Sequence, residues 1–481
     1  MHDRQSSTLH TDHDKLPSDK ALLAAFEDAG FSIQEGKFEL SDILTLCEEG
    51  KMAFANGNNA ANPYFAAMFP MAPGQSAENE VTDAEGYGRG FRVGKNEAIV
   101  MIGETPPEMQ YFSFAAFVAS THWEGKPAPE PVIRPLPGTH LRTILVADRQ
   151  EMFFCVGDTL NNLSLKTPAG VANPSVSAFG QRFLIVFTAD AVTDGAVRDA
   201  ASGAGYPVQA INTKVLPVDI ARLGVERDAD TFTIVQRLAL DGNPVHDERA
   251  EAYKKHPTVR VFRLTPPSGV APRPLPLPAL RVRGTGRTEL NHWPAVLALR
   301  EAILRAYPDH EAKELMTSIW INESYELLQQ GVDALGESRD TSYLSTESFV
   351  LPEDPDAFVV VYGVNHAASG KAVYSNVVAY GEAKDNGVAS LNSREMAGSA
   401  GRYLPRADAS ALYAVTVSRF QGAAPCLKVP LPTPGHALHG ILPSEAMYLG
   451  FRAYLEPETM VGPAWQEMVF DRAILFARKR R

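Results

Sequence analysis

The 481-residue sequence predicts a mixed α/β fold of two similar tandem halves, an internal duplication with pseudo-two-fold symmetry, and three observations carry that reading. First, residues 97–120 (EAIVMIGETPPEMQYFSFAAFVAS) and 356–381 (DAFVVVYGVNHAASGKAVYSNVVAYG) write one antiparallel hairpin twice. Each opens with an acidic residue and Ala, runs through apolar residues to a Gly, and crosses a polar turn. Each then leaves through an aromatic-Ser pair, Phe112-Ser113 in one and Tyr374-Ser375 in the other. Second, further pairs of segments match in the same order along the chain, which chance rarely produces. Third, each half opens with apolar residues at helical spacing.

In chain order, residues 1–19 are polar without an apolar run, so they read as a disordered tail and not a secretory signal. The first α/β repeat spans residues 20–215. Its opening helix has Ser18 as N-cap, Leu22, Leu23 and Phe26 on one face, and Gly30 as its stop. Residues 46–65 lie over 327–344, matching Gly50 with Gly331, Ala53 with Ala334 and Tyr64 with Tyr343. The glycine-rich GYGRGFRVG (86–94) has no buried strand before it and no helix after it, so it reads as a surface loop. After the hairpin, ILVADRQEMFFC, ending at Cys155, matches YAVTVSRFQGAAPC, ending at Cys426. RFLIVFTADAVTDGAV likewise matches MYLGFRAYLEPETMVGPAW.

A central segment, 216–285, joins the repeats. DADTFTIVQRLAL and HPTVRVFRLTP predict a strand pair around a charged loop. The six prolines of TPPSGVAPRPLPLP rule out a helix or a central strand there, leaving an extended connector. The second repeat, 286–481, opens with a helix carrying Asn291 as cap, Pro294 in its first turn, and Val296, Leu299 and Ile303 on one face. Phe358 to Val361 are consecutive apolar residues, as in a strand buried on both faces.

A formal charge of −12 argues against a nucleic-acid partner. No stretch reaches the roughly 18 apolar residues that a membrane helix needs. Three cysteines are too few for a disulfide framework. The expectation is a cytoplasmic protein acting on a small molecule, its oligomeric state open.

None of the familiar catalytic signatures occurs, so candidate residues come from the differences between copies. A duplicated fold keeps in both halves what packing needs, whereas a site uses residues present in one. His366, in the second hairpin turn, faces Glu104-Thr105-Pro106-Pro107-Glu108 in the first. An imidazole moves protons near neutral pH, so His366 is the candidate general acid or base, against the plainer reading of a surface turn residue. Glu104 is its proton-transfer partner, and Tyr343 a phenol able to donate to a developing oxyanion. Arg339 is the candidate substrate anchor, with a structural ion-pair clamp as its alternative. Asn62, Asn365 and Tyr64 complete the expected substrate-binding set.

The expected pocket lies between the two repeats, and the expected activity is a hydrolase or lyase using acid–base chemistry without an organic cofactor. Two alternatives stand beside it. His436 and His439, three apart in PGHALHGILP, could hold a divalent metal such as zinc, with Glu445 or His366 as third ligand. A non-catalytic binding or assembly role is the other.

Overall fold

The computed structural model describes residues 16–75, 82–420, 422 and 424–479, apart from the side chains at 406 and 408. Most of the expected N-terminal tail lies outside the described residues. Helix α1 (Asp19–Asp28) precedes β1 (Ser32–Glu35), β2 (Lys37–Ser41), α2 (Ile43–Glu48) and β3 (Tyr64–Met68). β4 (Ala98–Glu104) and β5 (Tyr111–His122), expected to pair as a hairpin, lie in different sheets, the turn between them carrying the chain from one layer to the next; β6 (Ala128–Pro135), β7 (Arg142–Ala147), β8 (Arg149–Cys155) and β9 (Leu160–Asn161) follow. Then come α3 (Pro168–Ala172), β10 (Arg182–Thr188), α4 (Ala191–Gly203), β11 (Ile211–Val215), β12 (Thr231–Ala239), α5 (Pro244–Lys255) and β13 (Arg260–Thr265).

The rest of the chain begins with α6 (Trp293–Ala306), β14 (His310–Leu315), β15 (Thr317–Ile321), α7 (Ser324–Gln330), β16 (Thr341–Thr346) and β17 (Phe349–Val350). The second expected hairpin, β18 (Phe358–Val364) and β19 (Tyr374–Gly381), is likewise divided between two sheets. After it run β20 (Asn386–Asn392), β21 (Leu412–Ser418), β22 (Cys426–Lys428), β23 (Ala446–Tyr454) and β24 (Arg472–Arg478).

These strands form four sheets. In the first half the orders are β1-β13-β4-β10-β11 and β2-β3-β12-β5-β8-β7-β6, with β9 beside β5. In the second they are β14-β24-β18-β21-β22 and β15-β16-β23-β19-β20, with β17 beside β23. The two outer sheets have corresponding orders, each with a parallel edge pair, β10 with β11 and β21 with β22; the inner sheets agree over five strands, but β7 and β6 extend only the first, and β9 and β17 pair at different positions.

Strand alternation stacks these sheets. In the first half, α1 and α4 place Leu22, Phe26 and Val197 on Val100, Ile102 and Leu184 of β4 and β10. The opposite face of that sheet, with Ile99, Met101 and Ile185, packs on Phe65, Phe112, Phe114 and Ile234 of the second sheet. In the second half, Val296, Leu299 and Ile303 of α6 cover Val360 and Tyr362. Val359, Val361 and Val415 then meet Leu344, Val377, Leu449 and Phe451. The remaining faces of the two inner sheets look toward each other, and Trp320, Tyr343, Tyr380 and Tyr448 join the first half's core there.

Several expectations shift. β12 lies inside the second sheet and β13 inside the first, so both strands expected in a central segment are integral to the first half. The charged loop between them is α5, capped by Asn243 with Pro244 at its start. Only the proline-rich stretch serves as connector. It is pinned along α4, where Ala191 N–H donates to Arg273 O at 2.7 Å and Leu275 N–H to Ala189 O at 2.7 Å.

The segments ending at Cys155 and Cys426 are not counterparts: β8 pairs with β5 in one inner sheet, whereas β22 edges an outer one. The pairing of β10 with β23 fails for the same reason. The register also corrects the hairpin match by one residue. Arg237 opposes Tyr64 and Ser113, and Arg452 opposes Tyr343 and Asn376, which makes Tyr111 the counterpart of Tyr374. A one-residue slip reverses the faces of a strand, so the repeated aromatic-Ser pair was a coincidence of composition.

Candidate functional site

The loops before β3 and β16 cross over to the opposite half, and they do so reciprocally. Asn56-Gly57 and Leu335-Gly336 are consecutive left-handed residues, with φ of 49°, 59°, 52° and 68°. The Gly57 amide donates to Asp385 O at 3.1 Å, and the Gly336 amide to Phe153 O at 2.8 Å. The amides of Ala55 and Ala334 donate to Lys384 O and Met152 O. That makes Ala55, not Ala53, the counterpart of Ala334. Arg452 donates to Gly57 O, while Arg237 donates to Gly336 O and, at 2.6 Å, to Ser338 Oγ. Glycine is required at both crossings: a Cβ at Gly57 would lie 2.7 Å from Trp320, and one at Gly336 2.4 Å from Phe153.

A cavity of about 300 Å³ opens between the inner sheets on the first half's side. Its floor is Tyr64, Ala66, Thr233, Val235 and Phe117. Glu151 and Phe153 of β8 and Ile43 and Leu46 of α2 form its walls. Leu335, Gly336, Tyr343 and Arg452 close it from the second half.

The reason for the opening is written in the register. Thr233 opposes Phe117, whereas Tyr448, at the matching position, opposes Tyr380 and stacks on it at 5.0 Å. Trp320 packs against both of those tyrosines. Where the second half fills its inner face with aromatic rings, the first half has Thr233, Ala66 and space.

Alternation along β8 sends Glu151 and Phe153 toward the cavity and Met152 and Phe154 into the core. Glu151 is half-buried, and no described residue hydrogen-bonds its carboxyl. Burial, reinforced by the nearby Asp333 carboxyl, pushes its pKa up to about 8. At neutral pH it therefore carries a proton it can give. Tyr64 Oη accepts the Asn59 amide at 2.8 Å, and Tyr343 Oη accepts the Ser338 amide at 3.2 Å and Arg237 at 3.3 Å.

Positive charge surrounds the cavity. Arg89 bonds Ser41 Oγ through Nε at 3.2 Å, and burial draws its pKa below the usual arginine range. Lys51, Arg237 and Arg452 also line the wall. The one ionised carboxylate in the lining, Asp83, is paired with Lys37 at 3.1 Å. Tyr87, Arg89 and Gly90 belong to the glycine-rich stretch read from sequence as a plain surface loop, so that stretch is part of the cavity wall.

Of the expected site residues, Tyr64 and Tyr343 meet in this cavity and the others are placed elsewhere. His366 does not line it and is no surface residue either, being 2% exposed. Its Nδ1 lies 2.9 Å from Glu289 Oε2 and its Nε2 3.4 Å from Asp471 Oδ2. Burial disfavours its charge, but the two carboxylates outweigh that and hold its pKa at about 10. Ser369 and the Val469 amide also donate to Glu289, and Tyr413 to Asp471, closing a structural ion cluster.

Glu104 is exposed at the end of β4, opposite Arg182. Arg339 is the clamp and not a substrate anchor, with its donors engaged by Asp158, Glu323 and Arg281 O. Asn365 caps its own turn, accepting the Ala368 amide and donating to Ser393 O. Asn62 accepts from Tyr374 Oη at 3.3 Å behind the cavity wall. Cys155 is buried and donates to Gly157 O, and burial pushes its thiol pKa up to about 12. Cys426 is half-buried.

His436 and His439 lie beside Glu48 of α2, not beside Glu445 or His366. Glu445 instead accepts the amide of Leu442.

No family model matches this chain, and no curated protein does. Among solved structures it is similar to an uncharacterized protein from Burkholderia cenocepacia, with 14% identity and a TM-score of 0.39, covering 95% of this chain and 86% of that one. It is also similar to the VPA0106 protein from Vibrio parahaemolyticus, with 10% identity and a TM-score of 0.35, covering 95% and 98%. Both likenesses are too distant in shape to carry chemistry from one protein to another.

Proposed function

We propose that the cavity between the inner sheets is the site of acid–base chemistry on a small organic acid, with Glu151 in the role the sequence suggested for His366. The observation that carries this reading is a carboxyl without a hydrogen-bond partner among the described residues, facing a cavity to which both halves contribute. A general acid works best with a pKa near the working pH, and Glu151 meets that condition. Phe117, Phe153, Leu46 and Val235 supply an apolar bed for the substrate's body. With Glu151 protonated, the cationic wall of Arg89, Lys51, Arg237 and Arg452 favours an anionic head group. The reaction class is a hydrolase or lyase.

We further infer that the halves descend from one duplicated unit related by a pseudo-two-fold axis. The matching strand orders and the reciprocal Arg–Gly contacts support this. In that view the site arose where one copy lost its aromatic filling. Three unpaired cysteines fit a reducing compartment such as the cytoplasm.

A binding role without catalysis is the second reading, because Arg237 and Arg452 are already committed to holding the halves together. Turnover of a panel of aryl- and alkyl-substituted carboxylic esters and hydroxy acids separates the two. The enzyme reading predicts turnover by the wild type that Glu151→Gln loses by about 10²–10⁴-fold, with binding retained. Binding of panel members with no turnover would leave the non-catalytic reading; no binding to the cavity would sink both.

A further inference from the structure

Outside the cavity, one cluster has the makings of a site that the proposed chemistry does not use. The turn Ala437–His439 is a 3-10 turn following His436. With three residues per turn, side chains three apart eclipse one another, so His436 and His439 emerge on the same side. Their ring centroids lie 5.1 Å apart. Facing them is Glu48, the last residue of α2 in the other half. Its Oε2 lies 3.9 Å from His436 Nδ1 and 3.9 Å from His439 Nε2, and the ligand atoms of all three residues fall within 4.8 Å of one another.

The cluster is held in shape. Glu48 Oε1 accepts the Leu438 amide at 2.7 Å, which orients the carboxylate and leaves Oε2 turned to the imidazoles. Leu438 O accepts from Asn386 at 2.7 Å, fixing the turn. His439 Nε2 is shielded from solvent yet bonded to no described group. A separation of 3.9 Å is too long for a hydrogen bond. Two ligands on one tetrahedral zinc ion, each at about 2.0–2.1 Å, stand roughly 3.4 Å apart, so a contraction of roughly half an ångström for each Glu–His pair, and of at most about 1.4 Å between the imidazoles, would let all three atoms reach one ion.

We propose that Glu48, His436 and His439 bind one zinc ion, which clasps α2 of the first half to the turn of the second. The donor set of two imidazole nitrogens and one carboxylate oxygen suits zinc rather than magnesium or calcium. With three protein ligands and His436 exposed, the fourth position is open to water. The clasp has a consequence for the cavity, because Ile43 and Leu46 on the same short helix form its wall. An ion at Glu48 would hold that wall in place.

The test uses the full chain, stripped with a chelator, dialysed and titrated with zinc chloride against a chromogenic competitor. The expected result is one tight equivalent that Glu48→Gln weakens and His436→Ala/His439→Ala abolishes. Loss of an outer hydrogen bond to a metal ligand costs about 10–100-fold in affinity, so loss of two ligands should exceed about 100-fold. The histidines at positions 2, 10 and 13 persist in both variants, so only a difference between wild type and variants counts as the clasp. Thermal unfolding should rise with zinc in the wild type, not with magnesium, and not in the double variant. Glu48→Gln keeps the acceptor for Leu438 and guards against a folding defect. Equal zinc binding in the wild type and both variants, or no stoichiometric binding by the wild type, overturns the proposal.

Discussion

Replacing Glu151 by Gln should make the protein more stable, and more so as the pH rises. Its carboxyl has a pKa of about 8 in the folded chain against 4.5 as the ordinary value. An acid whose folded pKa is raised binds its proton more tightly when folded, so the unfolded state releases the proton first as pH rises from 4.5. Stability then falls across the window from 4.5 to about 8 and the full cost persists above it. At 1.36 kcal/mol per pH unit, that interval bounds the effect at about 5 kcal/mol. Because the side chain opens on a cavity that water can enter, a penalty of about 2 kcal/mol is the expected size. Urea unfolding of wild type and Glu151→Gln at pH 5 and pH 9 reads it directly. The variant should match the wild type within about 0.5 kcal/mol at pH 5 and exceed it by about 2 kcal/mol at pH 9. Parallel pH dependence in the two proteins would show that the carboxyl is ordinarily solvated, and the site reasoning would fail with it.

Other perturbations follow from the same geometry. His366→Ala strands Glu289 and Asp471 as buried carboxylates and should cost about 3–5 kcal/mol by urea unfolding, not the small change of a surface residue. The wild-type contribution of His366 should be complete below pH 6.5 and vanish as pH rises through about 10, because its folded pKa is raised. Gly336→Ala puts a Cβ against Phe153 at a φ of 68° and should cost roughly 2 kcal/mol or more. Gly195→Ala, in open space on α4, should be neutral or stabilising by up to about 1 kcal/mol in the same assay. Thr233→Tyr copies Tyr448 of the second half and should stack on Phe117, fill the cavity and weaken ligand binding more than about 10-fold while the protein stays folded. Unchanged affinity would place the ligand elsewhere.

Much of the architecture is legible in the sequence because packing leaves a periodic trace. Gly50 and Gly331 end their short helices with a left-handed residue, and Tyr64 and Tyr343 both lie on inner strands, opposite Arg237 and Arg452. A one-residue register is harder to see, since Phe112-Ser113 and Tyr374-Ser375 look alike in composition yet point to opposite faces. His366 misled for a related reason. Its lack of a counterpart signalled something particular, but the partner that explains it, Glu289, is 77 positions away. A distant carboxylate turns a catalytic type of residue into a structural cation. Glu151 left a signal that could have been followed: in RQEMFFC it shares a face with Phe153, an acid on the strand that ends in the apolar run MFFC. The cavity itself was hidden in what is missing, Thr233 and Ala66 where the second half has Tyr448 and a face filled by Trp320.

The most direct test of the central claim is the pKa of Glu151, followed by infrared difference spectroscopy of wild type against Glu151→Gln, with and without a saturating aryl carboxylate such as phenylacetate. The account predicts a carboxyl pKa raised from 4.5 toward about 8 in the free protein and an upward shift on binding, because an anion in the same cavity favours the protonated carboxyl. Ionisation near pH 4.5, or a pKa that phenylacetate occupying the protein leaves unmoved, would contradict it.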